Sequence, residues 1–490
     1  MRPMIELAIA ILYGFCALLL ALYTCGQALL LIQYLRHRQQ IPPQPPALNT
    51  WPDVAVQLPL YNEQHVAARL LKAVVALDYP AEHLHIQILD DSSDSTTSII
   101  EGILRQYPHL NISHMRRVER TGYKAGALAA GLQQTQAEFV ALFDADFIPP
   151  PDFLRRTVPY LSVDARLGVL QTRWGHLNAT QNCLTRAQVL AVDAHFVIEQ
   201  QGRYAAGWLL PFNGTGGVWR VATIEDAGGW SDATLTEDLD LSLRAQIKGW
   251  RSLFLPDVVV PGELPPQIAA YRQQQVRWAK GSAQCLRRLL LPLWQAELSL
   301  GSRLMATQHL FQYMPQPLML LLLLLTPPLL LTHHWQSLPL APLGIIGLIP
   351  PLMYLISQRD SSAGWRDNLR AFPVLLLIGT GMIWQNTQAI VSGLLGEKGE
   401  FHRTPKFAQH GQTSRYALLS QPSMIIEWFW MFYALWAAWL AAQIEVTIMP
   451  YLLIYAAAFA TVIIWDWLER RHLRRLFLAQ PRPLPDSGNE

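Results

Sequence analysis

Carboxylates set in pairs at the ends of apolar runs are the first chemistry legible in this chain. Asp144 and Asp146 stand two apart after the strand-like run 138–143, and Asp90 with Asp91 closes the run 85–89. Two carboxylates so spaced can share one hard divalent cation, which binds through one or two carboxylates plus substrate phosphates and offsets the charge of a departing diphosphate. Asp90 and Asp91 read equally well as turn or helix caps, because Ser92, Ser93 and Asp94 follow them ahead of Ile99, Ile100 and Ile103. Thr236-Glu237-Asp238 opens an amphipathic run through Leu239, Leu241, Leu243 and Ile247. Asp238 there is either a charge favoured by the helix dipole, worth ~0.3–1 kcal/mol, or a general base for an acceptor hydroxyl. A close Glu237 would raise its pKa, which suits a base.

Basic, aromatic and glycine-rich stretches accompany these acids. Lys124 sits in Gly122-Tyr123-Lys124-Ala125-Gly126 near an expected helix start, where close backbone approach and a cation suit a diphosphate. Phe212-Asn213-Gly214-Thr215-Gly216-Gly217 is either a series of ordinary turns or a loop that lets backbone approach a sugar. In Gln274-Gln275-Val276-Arg277-Trp278, the guanidinium suits a phosphate oxygen and the indole either a sugar face or a membrane interface. No phosphate-cradling loop ending in Lys-Ser/Thr occurs, so ATP hydrolysis has no support.

The elements that must position these residues alternate strand and helix patterns through residues 51–288, as in an α/β domain with a mostly parallel sheet. Strands are expected at 54–58, 85–89 and 138–143 and a helix at 62–77, with the acids at strand C-termini, where such sheets bind ligands. Around this domain the chain is apolar: of 490 residues 51% are hydrophobic and 15% charged, against ~25% charged in an ordinary soluble domain. A net charge of +2 gives no case for nucleic acid, and Cys16, Cys25, Cys183 and Cys285 form neither a disulfide framework nor a zinc spacing.

Residues 5–35 far exceed a signal-peptide core and can span a bilayer. Arg36, His37 and Arg38 place the end of that span, and so the domain after it, in the cytosol. The expected organisation is a first membrane helix (1–38), a Pro-rich linker (39–50), the catalytic domain (51–288), a second membrane region (289–478) and a short tail (479–490) with no room for an appended cyclic-nucleotide sensor. In the second region spans are expected at 301–331, 338–356, 424–443 and 446–467. Segment 371–396 reads as re-entrant or interfacial, which gives five crossings, or six if it spans. Gln308, Gln312, Tyr313, Gln316, Trp384 and Trp428 are candidates to line a sugar path, although interfacial aromatics and helix-end glutamines account for them as well.

Taken together, Leu58-Pro59-Leu60-Tyr61-Asn62-Glu63, the Gly122–Leu128 run, Phe143-Asp144-Ala145-Asp146-Phe147, Phe212-Asn213-Gly214-Thr215, Gly228-Gly229-Trp230, Thr236-Glu237-Asp238 and Gln274-x-x-Arg277-Trp278 resemble the inverting family 2 glycosyltransferases, in particular the membrane-embedded cellulose-synthase-like mannan and glucan synthases. The resemblance covers roughly residues 58–406. It implies a GT-A domain inserted between transmembrane helices, a nucleotide-diphosphate sugar donor, Mg²⁺ or Mn²⁺, and inversion to a β linkage. Carried over by motif, Tyr61, Glu63, Asp90 and Asp91 belong to the nucleotide end, Lys124, Gln274 and Arg277 to the diphosphate, and Asp144 and Asp146 to diphosphate and metal. Asp238 is then the base, with Glu237, Trp278, Phe212, Asn213 and Gly214 on the acceptor side.

Phe401, His402, Arg403, Thr404, Pro405 and Lys406 look like the family's gating loop (397–416), with Arg-Thr-Pro-Lys where cellulose synthases carry Val-Thr-x-Lys. The expected activity is processive polymerisation of a β-linked, β-1,4 glucan or mannan passed across a plasma, inner or Golgi membrane. UDP-glucose is favoured over GDP-mannose as donor, and the acceptor is a growing polysaccharide. A single-transfer glycolipid enzyme acting on a membrane lipid is the alternative. A scaffold or transporter would leave the ordered acids unexplained.

Overall fold

The computed structural model describes residues 2–332, 338, 344–361, 364–397, 399 and 424–479. Its centre is a seven-stranded sheet in the order β3-β2-β1-β4-β6-β5-β7, formed by β1 (Val54–Leu60), β2 (Leu84–Asp90), β3 (Ile112–Met115), β4 (Phe139–Leu142), β5 (Leu167–His176), β6 (Gly217–Arg220) and β7 (Arg251–Gly262). β1 pairs in parallel with β2 and β4, and β2 with β3, whereas β6 runs antiparallel to both β4 and β5. This is the mixed, mostly parallel sheet expected.

Strand pleating turns alternate residues to opposite faces. Val54, Val56, Leu58, Phe139 and Ala141 pack on one side against Leu70, Val74, Ile100, Phe153 and Val158. Ala55, Val140 and Leu142 pack on the other against Ala125, Leu128, Ile224, Leu241 and Ala245. Two helical layers therefore bury both faces of the sheet, and the C-terminal ends of β1, β2 and β4 are left to open on a crevice.

Four strands lay outside the sequence reading, and the boundaries of the expected elements shift, most at β1 and the helix after it. β1 extends to Leu60, and the expected helix 62–77 covers only Ala67–Val74. Asn62 takes a left-handed φ of 56°. Its backbone N–H donates to Ser92 Oγ at 2.9 Å, and its side-chain oxygen accepts from Ser93 N at 2.8 Å. Those bonds tie the residues after β1 to the loop after β2, so a helix cannot start there.

Among the described residues, three helices are long and apolar enough to cross a membrane: Pro3–His37, Ile425–Ile444 and Met449–His472. Two bent pairs raise the number to five: Leu300–Leu310 with Pro315–Leu330, bent 63°, and Trp365–Gly381 with Ile383–Leu395, bent 49°. The second bend falls in the segment expected to be re-entrant. The expected span 338–356 lies partly outside the described residues, and the helix found there, Ile349–Ser361, has 13 residues. Small Ala434, Ala437, Ala438 and Ala441 are buried against the last helix, the close approach membrane helices use in place of hydrophobic driving force.

The domain is fastened into this helical frame. Arg203, 1% exposed, donates to Met305 O at 2.8 Å and to Gln308 Oε1 at 3.0 Å. On the last helix, Glu469 accepts from Ile268 N at 2.9 and 3.1 Å and so caps the 28-residue Ile268–Gln295 helix.

Candidate active site

One cavity of about 500 Å³ lies at the C-terminal ends of β1, β2 and β4, lined by Tyr61, Glu63, Asp91, Lys124, Asp144, Asp146, Phe212, Asn213, Gly214, Glu237, Asp238, Gln274, Arg277 and Trp278. Residues spread over more than two hundred positions thus meet because the sheet gathers its loops at one edge. Two of the expected site residues or segments fall elsewhere. Asp90 does not face the cavity: it is fully buried, accepting from Ser92 N at 2.9 Å, Thr97 Oγ1 at 2.7 Å and His114 Nε2 at 3.1 Å. Burial pushes its pKa up, but those donors outweigh it and hold the carboxyl down at about 2. It is a structural cap that ties β2 to the helix and strand after it. Phe401, Arg403, Thr404 and Lys406 lie outside the described residues.

Lys124 is the hinge of the charged cluster. Its Nζ is 2.7 Å from Asp144 Oδ1 and 3.5 Å from Glu237 Oε1, and it donates to Gly214 O at 2.9 Å. Burial pulls this ammonium down, yet the fields of Asp144, Glu237 and Asp238 hold it well above the usual lysine range. Asp238 sits in the first turn of Glu237–Ile247. Burial and the neighbouring Glu237 push its pKa up to about 7, against the opposing pull of Lys124 and backbone N–H groups. A carboxylate poised there is matched to general-base work. Arg277 is also pulled down by burial and opposed by Glu237, Asp144, Asp238 and Asp146, so both cations face the same acids.

The loop at Asn213-Gly214 is shaped around this cluster. Gly214 has φ of +84°, and a Cβ there would stand 2.9 Å from Asp238 Oδ2. Asn213 is held by His195 Nε2 on its Oδ1 at 3.0 Å, and His195 Nδ1 faces Glu199 at 3.0 Å. Both groups project from Ala194–Gln200, a stretch wound as π-helix, a local form frequent at functional sites. Beyond them the cavity continues to Tyr23, Tyr271, Gln275, Gln312, Tyr313 and Tyr354 on the membrane-side helices, where Tyr313 donates to Gln275 at 3.0 Å. Of the residues expected along a sugar path, Gln312 and Tyr313 line it. Gln308 instead bonds Arg203, Trp384 packs against Trp430, and Trp428 is 45% exposed beside Phe432.

The donor set fits a divalent cation completed by substrate. Asp144 and Asp146 both line the cavity just after β4, and no group of three or more His, Cys, Asp or Glu able to hold a metal occurs among the described residues. A cation on these two carboxylates therefore needs further oxygen ligands, which a diphosphate supplies.

Sequence reasoning missed His195 and Glu199, paired across one turn, and Arg203 and Glu469, which act through long-range contacts; none carries a motif. It also missed Arg117 and Arg120, although the cluster Arg116-Arg117-x-x-Arg120 just before Gly122 was visible.

The family described as "Glycosyltransferase like family 2" matches residues 52–281. Glucomannan 4-beta-mannosyltransferase 1 of Oryza sativa subsp. japonica is 39% identical over 311 residues, 59% of this chain and 59% of that protein. Glucomannan 4-beta-mannosyltransferase 2 of Arabidopsis thaliana is 41% identical over 251 residues, 50% of this chain and 47% of that one. The chain thus spans about half to three-fifths of the length of these curated relatives. Among solved structures, the mannosyltransferase PcManGT from Pyrobaculum calidifontis, in complex with GDP-Man and Mn²⁺, superposes with a TM-score of 0.53 at 19% identity, covering 79% of this chain and 99% of that one. That likeness speaks for the shared GT-A fold alone.

Proposed function

We propose that this chain, a family 2 glycosyltransferase of the cellulose-synthase-like kind, transfers mannose from GDP-mannose to the end of a growing β-1,4-linked polysaccharide. The observation that carries the reading is the convergence of Asp238, Lys124, Arg277, Asp144 and Asp146 in one cavity bounded by Trp278 and continuous with the membrane-side helices. The relatives' names move the donor from UDP-glucose, favoured on sequence alone, to GDP-mannose.

In this reading Asp238 accepts the proton of an acceptor hydroxyl as that oxygen attacks the anomeric carbon from the face opposite the diphosphate. The bond from anomeric carbon to diphosphate oxygen breaks with its electron pair on the leaving group, and the configuration inverts from α to β. Lys124 and Arg277 meet the charge that develops on the diphosphate, as fixed cations in a dry site do most effectively. Asp144 and Asp146 would hold Mg²⁺ or Mn²⁺, which supplies further charge neutralisation when bound. Trp278 offers an indole face to the terminal acceptor sugar.

Arg36, His37 and Arg38 at the end of the first span support a cytosolic side for this chemistry. The lobe lined by Tyr23, Gln312, Tyr313 and Tyr354 gives the product its way toward the membrane helices, and repeated transfer with passage through them completes the proposal.

The test is turnover of the purified, detergent-solubilised protein with GDP-mannose or UDP-glucose and Mg²⁺ or Mn²⁺, with the product sized and digested. A long, β-mannanase-sensitive product from GDP-mannose is expected. A single sugar on lipid, or a glucan from UDP-glucose, would overturn it.

A further inference from the structure

The cavity has a second cationic pole. Arg120 holds its guanidinium carbon 3.4 Å from the ring centroid of Tyr61 and 5.1 Å from that of Tyr123. The groups that act on it most strongly are Tyr61, Asp91, Tyr123 and Arg117, whereas Arg277 answers to Glu237, Asp144, Asp238 and Asp146. Arg120 thus lines the cavity beside Tyr61 and Tyr123, on the wall that Asp91 shares.

Its neighbours are committed to the protein. Arg116 donates to Ser92 O at 2.8 Å, and Arg117 grips Asp91 with two bonds of 2.5 and 3.0 Å while also holding Thr121 O and Tyr123 O. Arg120 makes no such bond among the described residues, and its Nε is buried without a partner. The walls of the slot are set by unusual backbone: Asn62, just after Tyr61, has φ of 56° and Tyr123 has φ of 50°, a conformation bulky side chains rarely adopt.

We propose that Arg120, laid over the Tyr61 ring and oriented by it, selects guanine in the donor, directing its planar fork of donors to O6 and N7 of the base. Guanine presents two adjacent acceptors on that edge, the set a guanidinium reads bidentately. Adenine sets an amino donor beside N7, which meets the cation with the wrong sign, and uracil offers a carbonyl with no ring-nitrogen acceptor beside it. The assignment rests on the reading of the site as one for a GDP-sugar and adds which residue makes the nucleotide choice.

The test is nucleotide binding, which needs no turnover. Dissociation constants for GDP, 7-deaza-GDP, UDP and ADP are measured by calorimetry on the detergent-solubilised full chain with Mn²⁺, for the unmodified protein, Arg120→Leu and Arg120→Lys, with melting temperatures to show that each is folded. The unmodified chain is expected to bind GDP about tenfold or more tighter than 7-deaza-GDP, UDP or ADP, the discrimination a bidentate pair supplies. Arg120→Leu removes that preference and leaves UDP binding nearly unchanged; Arg120→Lys, a point donor, keeps part of it.

A GDP preference that survives in Arg120→Leu, or in Arg120→Lys at full strength should the Leu variant fail to fold, overturns the assignment alone. Equal weakening of GDP and UDP makes Arg120 a phosphate contact and overturns it too. An unmodified chain that binds neither diphosphate, or prefers UDP, refutes the GDP-sugar reading itself.

Discussion

Asp238→Asn tests the chemistry through two readouts that move in opposite directions. Burial and the charge of Glu237 push the Asp238 pKa up to about 7 from an ordinary 3.8. At ~1.4 kcal/mol for each tenfold change in proton affinity, keeping this carboxylate ionised in the folded protein costs up to roughly 4 kcal/mol. The folded value lies above the unfolded one, so the cost is absent below about pH 4, grows as pH rises, and is complete above about 7. The Asn variant escapes it, and its melting temperature should exceed that of the unmodified protein at pH 8 but not at pH 4.

Turnover should fall by roughly 10²–10⁴, the usual contribution of a positioned base. In the unmodified protein kcat/KM reports the free enzyme. It should climb about tenfold per pH unit up to about 7 and then level off, reaching at pH 6 only about a tenth of its plateau. Glu237→Gln removes the charge that helps raise Asp238 and should shift this limb to lower pH. The assays are initial rates of sugar transfer across about pH 4–9 and scanning fluorimetry at the two pH values. An acid limb near pH 4, or an Asn variant within tenfold of full activity, refutes the assignment of Asp238 as base.

Asp90→Asn should cost about 1–3 kcal/mol of stability, because a buried acceptor set loses its charge-assisted bonds, and leave the KM for donor unchanged; Asp91→Asn should raise that KM. A changed donor KM in Asp90→Asn would contradict its purely structural place. Gly214→Ala forces a side chain into a left-handed backbone and puts its Cβ 2.9 Å from Asp238 Oδ2; kcat should drop at least about tenfold while GDP binding, read by calorimetry, persists. Gly202→Ala places a Cβ 2.6 Å from Leu30 O in the first membrane helix, so the melting temperature in detergent should fall, and an unchanged value would mean that this junction yields.

What the sequence made legible is what short-range chemistry encodes. Short apolar runs marked β1, β2 and β4, and the acids closing the last two pointed to the crevice, because ligands of such sheets bind at strand C-termini. β5, β6 and β7 escaped because their identity depends on partners: β6 is four residues long, and its antiparallel place between β4 and β5 comes from registers such as Val140 with Trp219 and Val169 with Trp219. Asp90 and Asp91 show the same limit on a single pair of neighbours. Adjacent residues at the end of a strand leave on opposite faces, so one carboxylate must turn inward to cap and the other outward to the cavity. Only the placement of His114 and Thr97 around the first, and of Arg117 around the second, decides which is which. The same holds for the helix bearing Gln274, Arg277 and Trp278: its motif is local, but its start is fixed by Glu469 from two hundred and one positions away. The helix that carries these candidate site residues is therefore tied at its start to the apolar Met449–Ala479 helix, so the apolar helical region forms part of the frame of the candidate site.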